Sequence, residues 1–397
     1  MDVSPQVREP AGTVQSGTVQ SGTVGSDPVG SDPVGSLLLR TAGEQAAEFL
    51  DSAAAPATRL AYQRDWARFT AWCTRREVTA LPADEHVVAA YLADAAHQQC
   101  ADGSWRYAPA TMSRWVAGVN KAHTVNGNPP PGHHPRVVAV LSGIRRERAT
   151  PPARRSPLLL EDLRRVLGQL DLTTWPVAVA ARRDACLLVM GFAGAFRRSE
   201  LAGLAVRDVT RHEQDGAHVA LGRSKTDQEG RGRVVALPYG QNPLTCAPCA
   251  LRRWRAVLDA SDTGGRPAVL RVLRGSPSVS VHICRAPLQD TDTPTGGLEP
   301  SRPLFRPVSR SGAIHTRAVT GHAINLVVKR RGTAAGLDPR GLGGHSLRAG
   351  FVTQSFRSGA DAHAIMRQTG HTSHAMVEVY SREGAPLQGN AVTRLGL

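Results

Sequence analysis

A histidine and an arginine stand three residues apart in the segment GGHSLRAGF, at His345 and Arg348, directly after two glycines. Positions three apart on a helix lie on one face, so both side chains point the same way from the first turn of a predicted helix. A helix N-terminus also presents free backbone N–H groups, which attract anions. An imidazole and a guanidinium in this position suit a phosphate. An isolated H-x-x-R pattern is more often an ordinary surface pair, so this interpretation depends on the rest of the chain.

Other residues that can act on a phosphate occur at separate points along the chain. Arg197 stands three residues before Glu200 in GFAGAFRRSEL, and Lys225 lies in SKT, within the polar turn of a predicted β-hairpin. His371 follows a glycine in TGHTS, and Tyr380 lies nine residues later in VYSR. Each one alone is typical of a surface charge, a turn, a helix cap or a half-buried core tyrosine. Their order and spacing together favour a single site.

These motifs, in this order, resemble those of the tyrosine recombinase (phage integrase) family. The resemblance covers about residues 41–383. It implies a mostly α fold of two domains: an N-terminal all-α core-binding (SAM-like) helical domain and a C-terminal α+β catalytic domain with a small β-hairpin or sheet. There are two departures from the family pattern. The Pro/Gly/Thr-rich stretch 287–303 is interpreted as a peripheral insertion, and no folded arm-binding domain is predicted before residue 41.

The resemblance implies site-specific recombination, in which DNA strands are cut and rejoined through a 3′-phosphotyrosine. Tyr380 is then the nucleophile, and its phenol, with an ordinary pKa of about 10, needs a base or a strong positive field at neutral pH. Arg197 and Arg348 each have two N–H groups to donate to the non-bridging oxygens. Donors placed in advance in this way are worth about 3–4 kcal/mol each.

The remaining candidates have supporting roles in this chemistry. His345 and His371 add hydrogen-bond donors or accept the phenol proton. Lys225 protonates the departing 5′ oxygen, whose alkoxide is a poor leaving group. Glu200 has no positive charge to offer an anion and is expected to buttress the site. No cofactor and no metal are predicted, because the chain has no H-E-x-x-H, no carboxylate cluster and no G-x-x-x-x-G-K-[ST] motif.

The charge of the chain points to the same class of partner. Its formal net charge is +15 over 397 residues, which favours a polyanion, and we expect double-stranded DNA bound by a homotetramer on two synapsed sites. No apolar run reaches the length of about 18 residues that a membrane span requires. The N-terminal MDVSPQVREPAG lacks the apolar region of a secretory signal, so a cytoplasmic protein is predicted.

The six cysteines show no regular spacing and do not predict a disulfide framework. Cys246 and Cys249 form a C-x-x-C pair, but a zinc site needs a second pair, and only His282 and Cys284 are loosely available. We therefore interpret them as packing thiols.

Composition divides the chain into segments. The predicted boundaries are a disordered leader with pentapeptide repeats at 1–40 (the repeats at 12–36), the helical core-binding DNA-binding domain at 41–147, a basic linker at 148–157, the catalytic domain at 158–383 and a C-terminal tail at 384–397. SPLLLEDLRRVLGQL predicts the first catalytic helix, with Ser156 as its cap and Pro157 at its first position. Predicted DNA contacts are Arg114, Lys121, Arg145, Arg146, Arg154 and Arg155.

Two alternatives remain open at this level. A type IB topoisomerase uses a similar set of Arg, Lys, His and Tyr, although His345 in H-x-x-R and the small helical domain favour a recombinase. A catalytically inactive DNA-binding protein of the same fold is the second alternative, disfavoured because all six candidate catalytic positions carry suitable residues. The target site, the direction of recombination, the accessory factors and the kind of mobile genetic element are not encoded in these motifs.

We predict that Lys225→Ala binds DNA normally and cleaves it about 10²–10⁴-fold more slowly, because the departing 5′ oxygen loses its proton donor. A substrate with sulfur at the 5′ bridging position needs no such donor, since a thiolate leaves readily. Cleavage rates on the oxygen and sulfur substrates measure the effect. Equal defects on both substrates would assign Lys225 another role.

Overall fold

The computed structural model describes residues 55–148, 155–222, 232–285 and 298–384, with Val392 and Leu395. The predicted leader, Arg154 and Lys225 lie outside the described residues, as do most of the predicted 287–303 insertion and of the C-terminal tail. The chain divides into two compact units, Met1–Ala149 and Thr150–Leu397. The division falls within the stretch that composition marks as a linker.

The N-terminal unit is helical in its described part. Its helices are α1 (Pro56–Arg75), α2 (Glu85–Ala96), α3 (Pro109–Val125) and α4 (Pro135–Glu147). Three of them begin with proline, whose missing N–H costs nothing at a first helical position. The Asp84 side chain caps α2 by accepting the His86 N–H. Aromatic side chains fill the core between the helices, with the Phe69 and Tyr91 rings edge to face at 5.2 Å.

The C-terminal unit surrounds a small sheet with helices. Its helices are α5 (Leu160–Gly168), α6 (Val177–Ala193), α7 (Arg198–Gly203), α8 (Ala247–Gly275), α9 (Gly321–Ala334), α10 (Gly344–Arg357), α11 (Ala362–Thr369) and α12 (His374–Gly384). The strands β1 (Val209–His212), β2 (Gly216–Leu221) and β3 (Arg233–Leu237) pair antiparallel in the order β1-β2-β3. Val219 faces both Val209 and Val235 in the register.

The start predicted for the first helix of this unit is wrong by three residues. The helix α5 begins at Leu160, and the Ser156 side chain does not cap it. Residues before it instead run along α10, where Ser156 N–H donates to Gly341 O and Leu158 N–H donates to Ser346 O. A Cβ at Gly350 would lie 1.8 Å from Leu158 O, so glycine is required for this close approach. Tertiary hydrogen bonds thus replace the local helical ones.

Helix α6 lies in the core of the C-terminal unit and carries a buried charge. Asp184 is fully buried on it, and its carboxylate is 2.6 Å from Arg183 Nη2. Two more guanidinium groups, of Arg330 and Arg331 on α9, approach the same carboxylate at 2.9 and 2.8 Å. The buried charge is therefore compensated from two helices, which fixes α9 against α6.

The predicted fold class is confirmed: the described residues are mostly helical, with one small antiparallel sheet in the C-terminal unit. The N-terminal unit is all-helical in its described part, apart from an isolated bridge between Gln99 and Trp105. Among the described residues, no helix has the length and apolar character needed to cross a membrane.

We predict that Asp184→Ala destabilises the C-terminal unit by about 3–5 kcal/mol, because Arg183 remains buried without its carboxylate. The control Asp338→Ala removes an exposed partner of Arg340 and should cost much less, because water screens this ion pair. Urea-dependent hydrogen exchange of α6 peptides reports on this unit alone. Equal losses of unfolding free energy in the two variants would show that the buried Asp184 cluster stabilises the unit no more than an exposed ion pair does.

Candidate active site

Glu200 organises the first arginine of the site. Its Oε2 accepts the Arg197 backbone N–H at 2.8 Å, at the start of α7, and its Oε1 accepts from Arg197 Nη1 at 2.5 Å. The carboxylate is only 5% exposed, so both interactions are shielded from water. One side chain therefore caps the helix and orients the guanidinium. This is the buttressing position that the sequence analysis expects for Glu200.

Arg233, at the start of β3, is a site residue that sequence reasoning missed. Its Nη2 lies 3.6 Å from Glu200 Oε2, and its Nη1 donates to Gln368 O at 2.9 Å. The alternation of β3 gives a usable signal, because Arg233 is in phase with the buried Val235 and Leu237. A charged residue on the inward face of a strand indicates a specific partner.

Arg348, on α10, is 2% exposed and is the most buried arginine of the site. Its Nη1 donates to two carbonyl oxygens, of Ala195 and Thr369, each at 2.7 Å. Ala195 has the left-handed φ of +47°, a costly conformation for alanine that directs its carbonyl to the guanidinium. The Nη2 group of Arg348 is buried and has no hydrogen-bond partner among the described residues. An unpaired buried donor of this kind is expected where an anion binds.

The histidine of the H-x-x-R motif, His345, and the candidate nucleophile, Tyr380, lie in direct contact. His345 Nε2 and Tyr380 Oη are 2.7 Å apart. Tyr380 is half-buried on α12 and packs on a small apolar cluster that joins α10, α11 and α12. The buried members of this cluster are Val352, Phe356, Ile365 and Val377. This cluster packs against the phenol ring and helps to position it relative to the imidazole.

His371 is fixed by a threonine on the preceding helix. Its Nδ1 lies 2.8 Å from Thr369 Oγ1, and the Thr369 hydroxyl has its one proton directed to Ile365 O at 2.8 Å. We therefore assign the ring proton to Nδ1 of His371, which leaves Nε2 as an acceptor. Gly370 lies between the two residues with a φ of +66°, a left-handed conformation that ends α11 and suits glycine.

The site is strongly positive, and this controls both histidines. Burial, followed by the charges of Arg348 and Arg197, lowers the pKa of His371 to about 3. Partial burial and the same arginines lower the pKa of His345 below its ordinary value, although its ring also reaches solvent. Burial and the neighbouring Arg197 lower the pKa of Arg348 to about 10, so it remains charged at neutral pH. Both imidazoles are therefore neutral before an anion binds.

The structure brings together six of the seven predicted site residues in the C-terminal unit. They are Arg197, Glu200, His345, Arg348, His371 and Tyr380. Lys225 belongs to the connection between β2 and β3, outside the described residues. The arrangement can bind a tetrahedral anion, accept a phenol proton and present a phenol oxygen as a nucleophile. The catalytic roles remain predictions.

The predicted DNA contacts are divided between the two units. In the N-terminal unit, Arg114 pairs with Asp65 at 2.7 Å and Arg145 Nη2 donates to Ser113 Oγ at 2.8 Å, and both arginines stay exposed. Lys121 and Arg146 are also exposed. In the C-terminal unit, exposed Arg155 donates to Arg340 O. Their contact with DNA stays a prediction.

Comparison with known proteins identifies the family. The model of the phage integrase family matches residues 301–385, which hold His345, Arg348, His371 and Tyr380. An integrase/recombinase XerD homolog of Selenomonas ruminantium is 32% identical over 349 residues, covering 87% of each chain. The chain belongs to the tyrosine recombinase (phage integrase) family. The resemblance seen in the sequence motifs is thereby confirmed.

Further tyrosine recombinases match at lower levels. The tyrosine recombinase XerD of Xanthomonas axonopodis pv. citri (strain 306) is 30% identical over 95 residues, 24% of this chain and 29% of that protein. Among solved structures, the XerH recombinase bound to a difH substrate covers 82% of this chain and 76% of its own, with 16% identity and a TM-score of 0.45. The Tn1549 transposon integrase with transposon right-end DNA covers 79% and 86%, with 14% identity and a TM-score of 0.44.

The depressed pKa of His371 makes stability depend on pH. The unfolded chain binds a proton at this histidine below its ordinary pKa of about 6.5, whereas the folded chain does so only near pH 3. Stability is therefore complete above about pH 6.5 and falls as the pH is lowered toward 3. We predict that wild type loses more unfolding free energy than His371→Gln between pH 7 and pH 5. Solvent screening of this half-exposed group keeps the slope below the limit of about 1.4 kcal/mol per pH unit.

Urea unfolding at several pH values measures this difference. The matched control is His363→Gln, at an exposed position on α11, which should retain the wild-type response. Parallel pH profiles for wild type and His371→Gln would contradict a neutral, buried His371.

Proposed function

We propose that this tyrosine recombinase is a catalytically active site-specific DNA recombinase that cuts and rejoins strands through a 3′-phosphotyrosine at Tyr380. The observation that carries the proposal is the 2.7 Å contact between Tyr380 Oη and the Nε2 of a neutral histidine, His345. A nucleophile and its base within hydrogen-bond distance form the minimal unit of covalent catalysis.

The cleavage step moves one proton and exchanges one ester bond. The lone pair on His345 Nε2 accepts the phenol proton as Tyr380 Oη attacks the phosphorus of a DNA phosphodiester. A phosphorus–oxygen bond to tyrosine forms, the bond to the 5′ oxygen breaks, and that oxygen takes a proton to become a free hydroxyl. Lys225 is the proton donor that the family resemblance implies. The 3′ end is left joined to Tyr380.

The two site arginines supply the positive field for the five-coordinate phosphorus. Arg197 is held ready by Glu200, so little side-chain entropy is lost when it binds the phosphate. Arg348 offers its unpaired Nη2. Because that group is shielded, a neighbouring side chain must shift before the phosphate can reach it. Phosphate charge also raises the pKa of both histidines, which stabilises the imidazolium that forms when His345 takes the phenol proton.

Rejoining reverses the same step with a different 5′ hydroxyl. The phosphotyrosine ester retains the energy of the bond that was cut, so religation needs no nucleoside triphosphate. Exchange between two DNA sites requires four nucleophiles, and we propose a homotetramer on double-stranded DNA, as the family implies. The net charge of +15 supports the DNA partner, and we place the reaction in the cytoplasm with its substrate.

We predict that Tyr380→Phe abolishes covalent capture of a nicked suicide substrate while site binding changes by no more than about fivefold, since one hydroxyl contributes about 1 kcal/mol. Gel electrophoresis under denaturing conditions detects the covalent product, and a binding titration at fixed salt detects affinity. The matched control is Tyr239→Phe in the same unit, whose hydroxyl lies 3.2 Å from His212 O, away from these residues, and which should still form the covalent product.

Each alternative function gives a different result. Covalent product from Tyr380→Phe would place the nucleophile elsewhere and overturn the proposal. Relaxation of supercoiled DNA by wild type without site preference would indicate a topoisomerase. The wild type can also be given DNA repeats from the mobile element that encodes it. Absence of covalent product on that DNA would indicate a DNA-binding protein without catalytic activity.

A further inference from the structure

Four metal-ligating side chains converge in the catalytic unit at a place that the proposed reaction does not use. Cys246 and Cys249 lie at the start of α8, and His282 and Cys284 lie in the segment that follows α8. The three cysteines are buried, with exposures of 0, 0 and 3%, and none is in a disulfide. The ligand atoms of all four residues lie within 4.8 Å of one another.

Three of the ligand-to-ligand distances match the edges of a metal tetrahedron. A zinc ion with Zn–S bonds of about 2.3 Å and Zn–N bonds of about 2.0 Å needs S–S edges of about 3.8 Å and S–N edges of about 3.5 Å. The observed Cys246 Sγ–Cys284 Sγ distance is 3.8 Å. His282 Nδ1 lies 3.5 Å from Cys249 Sγ and 3.7 Å from Cys284 Sγ.

The imidazole is held in the tautomer that a metal requires. His282 Nε2 lies 3.1 Å from Gln241 O, so its N–H donates to this carbonyl and Nδ1 keeps a free lone pair facing the sulfurs. A backbone carbonyl on the outer nitrogen of a ligating histidine is a common second interaction at zinc sites. The residues between β3 and α8 thus orient the ligand.

Two backbone N–H groups are directed at sulfur atoms of the cluster. The Gly240 N–H donates to Cys246 Sγ and the Ile283 N–H donates to Cys249 Sγ, each at 3.4 Å. Thiolates are the form that binds a metal, and α8 adds the positive end of its dipole next to Cys246 and Cys249.

We propose that Cys246, Cys249, His282 and Cys284 bind one structural zinc ion. Four protein ligands complete a tetrahedron, which leaves no open position for water or substrate and makes the site structural rather than catalytic. Three soft thiolates and one imidazole select zinc over magnesium, calcium or manganese. The proposal replaces the sequence-based expectation of packing thiols and of no metal.

The position of the ion suggests its purpose. Its four ligands join the start of α8 to the chain that leaves α8, and the Gly240 N–H and the Gln241 carbonyl connect the residues after β3 to the same site. Strand β3 begins with Arg233, which contacts Glu200 and Gln368 in the candidate active site. The zinc site therefore lies a few residues beyond the end of the strand whose first residue contacts the candidate active site.

Metal content of the purified full chain tests the proposal. Protein from zinc-supplemented cells, without a histidine tag and after dialysis, should contain about one zinc per chain by elemental mass spectrometry. The double variant Cys249→Ser with His282→Ala should lose it. Cys73→Ser, at a buried cysteine of the N-terminal unit, and Cys100→Ser, at an exposed one, are matched controls and should retain it.

Three further measurements keep the test decisive if ligand variants fold poorly. Cobalt exchanged into the wild-type protein should give thiolate-to-cobalt charge transfer and the intense visible bands of tetrahedral coordination. His282→Cys, which preserves four tetrahedral ligands, should retain zinc. A chelator of high zinc affinity should lower the melting temperature of the wild type by at least about 5 °C, and zinc should restore it.

Other results would overturn the proposal. These are wild-type protein with less than a tenth of a zinc per chain and no tetrahedral cobalt spectrum, or a disulfide between Cys246 and Cys284 in protein purified without oxygen. None of these measurements depends on recombination activity, so they test the zinc site independently of the proposed DNA chemistry.

Discussion

The repulsion between guanidinium groups is the constraint on which the catalytic unit depends. Burial and the charge of Arg197 lower the pKa values of both Arg233 and Arg348, and Glu200 is the carboxylate that pairs with Arg197 and lies beside Arg233. Folding must gather these charges without the phosphate that later neutralises them. Glu200 meets this demand by pairing with two of the arginines, and the third is held by the carbonyls of Ala195 and Thr369. The left-handed backbone at Ala195 is part of the free-energy cost of holding Arg348 in this position.

The same excess of positive charge explains the protonation of the site. Neutral imidazoles next to guanidinium groups avoid further repulsion, and a neutral His345 is also the form that can accept the Tyr380 proton. The folded protein is thus prepared for the attacking step, whereas the later, charged states become favourable only once an anion is present. The stability of the fold and the proposed chemistry both favour a neutral His345, so burial and the nearby guanidinium groups are enough to set its protonation state.

Sequence reasoning found the residues whose contacts depend on local spacing. Arg197 and Glu200 are one helical turn apart, and His345 and Arg348 share the first turn of α10, so pattern alone indicated their proximity. Arg233 was missed because its partners, Glu200 and Gln368, lie far away in the chain and meet it only after β3 packs beside α7 and α11. The late start of α5 has the same origin, since the bonds of Ser156 and Leu158 to the start of α10 are tertiary and outweigh a good local cap.

The cysteine cluster is the clearest example of an arrangement that sequence reasoning could not predict. The C-x-x-C pair and the later His282 and Cys284 were visible in the sequence, yet they are separated by the whole of α8. That helix is interrupted at Gly265, whose φ of +59° is left-handed, and a proline follows at Pro267. No periodic pattern predicts how such a broken helix returns its far end to its start. Ligands that are distant in sequence can be recognised only when the path of the chain between them is known, and here that path is set by how the two halves of α8 pack on the catalytic core.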